Sequence, residues 1–156
     1  MPGFPTPADA PHPAFIYEEH PHHPGWMLWA LRDPTRYNAF LGEIIVRIDN
    51  GIARVRMVAG RQHSNLADHV HGGVLLGFID VAMFAAVRAF SLIEAGPAVT
   101  LDLNTHFIGG RQLVEPLEAR VEMLRETGRL IFLRGLLVQA ERPVTEFSGT
   151  IRKPGR

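Results

Sequence analysis

The chain has 156 residues, 46% hydrophobic and 21% charged, which suits one globular domain large enough to bury a core without staples. Sixteen basic residues balance sixteen acidic ones, which argues against broad electrostatic binding of nucleic acid and against a polybasic membrane anchor. With no cysteine, disulfides, thiolate metal sites and a cysteine nucleophile are excluded.

In chain order, residues 1–24 carry seven of the twelve prolines and four of the eight histidines, a composition that predicts an extended or flexible arm ahead of a domain spanning 25–156. Met1 to Pro13 has neither a basic nor an apolar signal region, so a cytoplasmic soluble protein is expected. His20, His22 and His23 offer imidazoles, but no carboxylate cluster near them completes a metal site, and none is expected. Trp26 to Tyr37 predicts a short helix or turn stopped by Pro34. Residues 39–48 and 52–59 read as two strands joined by Asn50-Gly51, the pair that best suits a hairpin turn with positive φ at both positions. After a polar loop over 61–70, with His63 and His69 expected at the surface, Gly72 to Ser91 is apolar nearly all round and predicts a buried helix. Four strands are expected at about 98–108, 114–126, 129–140 and 143–152, with turns at Gly96-Pro97, Thr127-Gly128 and Arg142-Pro143. An α+β domain follows, with a six-stranded antiparallel sheet curled round one long helix. The apolar helix surface and sheet edge that such a sheet leaves open predict a second subunit.

The informative residues cluster at the helix start. Asp80 falls among Leu76, Phe78, Ile79, Val81, Met83 and Phe84, where an ionised carboxylate is costly without a partner. An ion pair or a water-filled edge is the structural alternative to a functional acid. Gly73 and Gly77 share the Asp80 face and leave room for an approaching group. Gly72-Gly73 at a helix start exposes N–H groups at the positive end of the dipole, suited to a developing oxyanion; equally, the glycines allow a tight entry turn. Asn65 offers an amide donor or a loop turn. His71 is read as a loop brace more than a base. His69-x-His71 lacks a third metal ligand, although Asp68 is near in sequence.

The pattern Asn65-x5-His71-Gly72-Gly73-x6-Asp80, on a loop entering a long helix and followed by four strands, resembles the hotdog-fold acyl-CoA thioesterases of the PaaI type over about Phe40 to Arg152. The resemblance implies hydrolysis of an acyl- or aryl-CoA thioester with no cofactor, Asp80 acting as base or nucleophile. It implies Gly72 N–H as oxyanion donor, Asn65 holding the carbonyl or the water, and Thr100 positioning the water. By the same resemblance Gly73 would border the substrate and CoA would lie along Phe107, Ile108, Gly109, Gly110 and Arg111 and along the hairpin with Arg125, Gly128 and Arg129; Arg111, Arg125 and Arg129 are read equally as phosphate partners or as solvated strand-edge residues. Asp80 of one subunit would face Asn65 and Gly72 of another, in a dimer and then a dimer of dimers. Two departures stand out: Asp68 where many relatives carry glycine, and Gly109-Gly110 where many carry Pro-Ala. They keep open a non-catalytic acyl-CoA-binding or regulatory module. A hotdog dehydratase and a ligand-free scaffold are weaker readings. Trp26, Trp29 and Phe40 are candidates for capping an acyl tail, although packing roles suit them better.

Overall fold

The computed structural model describes residues 14–92 and 98–155. Most of the expected arm, and the Gly96-Pro97 connection, lie outside the described residues. Eight antiparallel strands form one sheet: β1 (Phe15–Glu19), β2 (Met27–Leu31), β3 (Ile45–Asp49), β4 (Ile52–Val58), β5 (Val99–Phe107), β6 (Pro116–Glu126), β7 (Leu130–Gln139) and β8 (Arg142–Arg152). Their spatial order is β1-β2-β3-β4-β6-β7-β8-β5. Among the described residues one α-helix, α1 (Gly72–Ala89), connects β4 to β5.

Ten of its residues are buried, from Val74 and Leu75 to Ala86 and Val87, and they pack against β3, β4, β5 and β6. The facing strands alternate as a half-buried sheet must. Ala53, Val55 and Met57 of β4, and Leu117, Ala119 and Val121 of β6, turn inward and are essentially inaccessible. Gly149 on β8 lets the helix come close, since a Cβ there would stand 2.6 Å from Met83 Sδ. By length and composition α1 could cross a membrane, yet 56% of it is buried within the protein itself.

Two strands exceed the expected six. Phe15–Glu19 belongs to the sheet instead of a free arm, pairing with β2 from Phe15↔Leu31 to Glu19↔Met27. Trp26 to Tyr37 was expected to be a helix or turn, but Met27–Leu31 is a strand, with Trp29 buried in the core; a 3-10 turn follows later, at Tyr37–Leu41. Side chains at 27–31 are apolar on both faces, so periodicity alone could not separate strand from helix. Asn50 and Gly51 adopt φ values of 50° and 76°, the hairpin turn their pair favours. The β7–β8 turn falls on Ala140 and Glu141, both at positive φ, and Arg142-Pro143 opens β8 instead of making the turn.

The outer face carries a charged layer. Glu118, 7% exposed at its side chain, accepts hydrogen bonds from Arg54 at 2.9 Å, Arg56 at 2.5 Å and Arg120 at 2.9 Å. The Trp26 ring lies beneath the guanidinium groups of Arg47 and Arg56, at 4.8 and 4.4 Å. Burial pushes the Glu118 carboxyl up, but the hydrogen bonds from Arg54, Arg120 and Arg56 outweigh it and hold the pKa at about 2, below its usual 4.5. A carboxyl lowered on folding adds stability above its unfolded value, and that stability drains away as pH falls from 4.5 towards 2. Glu118→Gln should therefore lower the urea-unfolding free energy at neutral pH by about 2–4 kcal/mol, through the loss of the carboxylate that Arg54, Arg56 and Arg120 share. The difference between variant and wild type should shrink as the titration is repeated at falling pH through that window.

Candidate active site

The loop before α1 is held by side chains as much as by backbone. Asn65 Oδ1 accepts from the N–H groups of Ala67 at 2.9 Å and His69 at 3.1 Å, which rounds the loop into an Asx turn. The Asn65 N–H donates to the His69 carbonyl at 2.8 Å. With its oxygen committed, Asn65 has only its amide NH2 to offer a ligand. Asp68 stands at φ 59°, a left-handed conformation that aspartate tolerates better than most residues. Asn65, Asp68 and His71 line an open hollow of about 750 Å³, from whose rim Leu66 projects fully exposed.

His63, expected at the surface, is buried. Its Nδ1 accepts from Gly60 N–H at 2.9 Å and its Nε2 lies 2.6 Å from the Phe40 carbonyl, so the proton belongs on Nε2 and the ring ties the loop to the 3-10 turn. His71 braces the loop as expected, and the structure gives the means. It is the N-cap of α1, and its Nδ1 accepts from Gly73 N–H at 2.8 Å. The N–H groups of Val74 and Leu75 go to the His71 carbonyl. Gly72 N–H is thus the first-turn donor with no protein acceptor among the described residues. On its side-chain face, the Phe107 ring packs 3.5 Å from where a Cβ would stand, and the Arg111 guanidinium covers that ring at 5.0 Å. Nη1 of Arg111 is buried without a partner.

Asp80 is half-buried and makes no ion pair among the described residues. Its Oδ1 accepts from the Thr100 hydroxyl at 2.5 Å. A bulge in β5 between Thr100 and Asp102 breaks the register against β8 just where Thr100 turns to the helix.

The anticipated residues thus fall into two separate groups. Asn65, His71, Gly72, Gly73, Phe107 and Arg111 gather at the helix start. Asp80 and Thr100 lie further along, about 12 Å from Gly72 at 1.5 Å rise per residue. Arg125, Gly128 and Arg129 join the second group, because Leu130 and Val99 both pair with Arg152. Val99 and Phe107 are about 26 Å apart along β5. Ile108 is exposed, and its N–H and that of Gly109 bond to the Val144 carbonyl. Gly109 is required where it stands, since a Cβ would meet the Pro143 carbonyl at 2.6 Å, while Gly110 faces open space.

One residue escaped the sequence reading. The Tyr37 hydroxyl enters the notch left by Gly77, where a Cβ would meet it at 2.0 Å. The signal was the small-residue face Gly73–Gly77–Asp80, but nothing in the sequence shows which side chain would fill it. Trp26 and Trp29 are buried and so do not cap an acyl tail from solvent; Phe40 is half-exposed with its ring edge on His63.

One antiparallel sheet wrapped on a single long helix is the hotdog architecture. A family model for the thioesterase superfamily matches residues 67–146, and the chain belongs to that superfamily. Solved structures agree. A point mutant of the phenylacetic acid degradation protein PaaI from Thermus thermophilus is 26% identical with TM-score 0.64, the match covering 78% of this chain and 99% of that one. The PaaI protein of the E. coli phenylacetic acid degradation operon (23% identity, TM-score 0.63, 74% of this chain and 81% of that) shares the fold. So does thioesterase superfamily member 2 from Mus musculus (17% identity, TM-score 0.63, 74% and 86%). Among curated proteins, none matches this chain by sequence.

If His71 serves as the helix cap, His71→Ala should cost about 1 kcal/mol in urea unfolding, and His71→Asn, which caps as well, should recover most of it. Equal loss in both variants would refute the capping role.

Proposed function

We propose that the protein hydrolyses an acyl- or aryl-CoA thioester at a site shared between two copies of the chain. The observation that carries this is the separation of Asp80 from Gly72. An oxyanion donor and the acid that drives attack must both lie within about 3 Å of the reacting group or its water. Two points about 12 Å apart on one helix do not meet that condition. β5 is an edge strand with Val99, Leu101 and Phe107 exposed, and a two-fold axis beside it would run β5 antiparallel to its own copy. That pairing sets the Asp80–Thr100 end of one copy against the Asn65–Gly72 end of the other. It also brings Arg125 and Arg129 of one copy towards the Phe107–Arg111 segment of the other, a basic surround suited to the CoA phosphates.

In this arrangement the thioester carbonyl oxygen accepts from Gly72 N–H at the positive end of α1, with the Asn65 amide NH2 as second donor. Asp80, oriented by the Thr100 hydroxyl, takes a proton from water as water attacks the carbonyl carbon, or attacks that carbon itself. The C–S bond breaks, and the CoA thiolate leaves with the electron pair and is protonated. Where Asp80 is the nucleophile, water then hydrolyses the acyl-aspartyl anhydride. Tyr37, whose hydroxyl fills the notch at Gly77 one turn before Asp80, borders the acyl group.

Wild-type protein incubated with short-chain, long-chain and aryl-CoA thioesters should release free thiol from at least one class. Asp80→Asn should lose activity by about a thousandfold or more while keeping its unfolding midpoint and its sedimentation as a dimer or larger. Binding of CoA thioesters without thiol release would mean a regulatory module, and wild-type turnover by the asparagine variant would remove Asp80 from the chemistry. A single turnover in H₂¹⁸O tests for the anhydride. Label found in Asp80 after one turnover marks the anhydride hydrolysed at its aspartyl carbonyl, and label confined to the acid means that water attacked the acyl carbon.

A further inference from the structure

The β1–β2 connection sets His20 and His23 against Glu43, which lies just ahead of β3. We propose that His20, His23 and Glu43 form a site for a divalent transition metal of the zinc class, independent of thioester chemistry.

The donor atoms of these three residues all lie within 4.8 Å of one another. His20 Nε2 is 3.1 Å from Glu43 Oε2, close to the spacing of about 3.3 Å between two ligands of a tetrahedral ion bound at about 2.0–2.1 Å. The His20 and His23 rings stand 4.5 Å apart. His20 is the anchor: its side chain is 6% exposed, whereas His23 and Glu43 are exposed and free to close the remaining distance by rotation. The turn that holds the histidines is stiff. Pro21 and Pro24 bracket His22 and His23, Gly25 turns the chain at φ 82°, and the loop is shut by hydrogen bonds from His20 N–H to the Trp26 carbonyl at 2.8 Å and from Trp26 N–H to the His23 carbonyl at 3.1 Å. Little entropy remains to be lost when a metal binds there.

Two imidazoles and one carboxylate suit zinc and its neighbours and not magnesium or calcium, which take oxygen donors. Three protein ligands leave a fourth position. His23 and Glu43 also line a cleft of about 350 Å³ with Trp26, Met57 and Pro116, so that position opens on a space able to admit water or a small ligand. Arg56 borders the cleft, but its charge is engaged by Glu118. One cost is visible. His20 Nδ1 accepts from His22 N–H at 3.0 Å, so the neutral ring carries its proton on Nε2. A metal at Nε2 moves that proton to Nδ1, and the His22 amide must turn to water. This cost weakens binding.

The test is titration of the untagged full-length chain with Zn²⁺ in a non-chelating buffer, followed by calorimetry. One ion per chain should bind with micromolar affinity and raise the unfolding temperature. Glu43→Gln and His23→Gln, both at exposed positions, should each weaken binding by about tenfold or more, and His22→Gln and His69→Gln should leave it unchanged. Co²⁺ in place of zinc should give the strong visible absorption of a four-coordinate ion, lost in the Glu43 and His23 variants, while thiol release from CoA thioesters is unaffected by either substitution. Absence of saturable binding overturns the proposal. So does binding that survives Glu43→Gln and His23→Gln, or that falls equally with His22→Gln, since this would mark nonspecific capture by a histidine-rich segment.

Discussion

An apolar helix has to be covered on more sides than one neighbour can reach. Ten buried residues run round α1, and only a sheet that curls can meet them all. That requirement sets the long strands β6, β7 and β8, the inward alternation of β4 and β6, and the missing side chain at Gly149 where Met83 needs room. It also dictates where chemistry can happen. A helix enclosed along its flank is open at its start and along the strip facing β5, and those are the places where Gly72 and Asp80 lie.

At the helix start, capping selects the amide. His71 occupies the Gly73 donor and its own carbonyl occupies the next two, which leaves Gly72 N–H as the first-turn group without a protein acceptor. The preceding loop is built for rigidity by the same economy: Asn65 spends its oxygen on the loop and keeps its NH2. Asp68 explains one departure from the family pattern. The left-handed φ of 59° is the conformation for which glycine is the easier choice, and aspartate can hold it. Gly109 explains another, since the carbonyl of Pro143 leaves no space for a side chain.

The reading from sequence was sharpest where local chemistry has one solution. Asn50-Gly51 made its turn, Gly72 to Ala89 formed the helix, and the four strands after it lie within a few residues of their expected bounds. It failed where long-range pairing decides. Phe15–Glu19 sits in proline- and histidine-rich surroundings that hide a short strand, and Met27–Leu31 has no alternation to show. Both became strands because β3 offers an edge: Met27 and Leu28 pair with Val46 and Ile45. His63 looked like a surface residue because its burial depends on a distant acceptor, the Phe40 carbonyl, beside the local donor at Gly60 N–H.

Among site residues the same division holds. The sequence alone determined that an acid sits in an apolar helix nine residues after a histidine at its start, because helical periodicity and amide exposure are properties of neighbouring residues. Only the tertiary structure decided that Thr100 reaches that acid, that Phe107 packs on Gly72, that Tyr37 fills the Gly77 notch, and that Glu43 meets His20. Each of those contacts joins residues about 20 or more positions apart, and their meeting depends on strand register and curvature, which the whole packed core sets together.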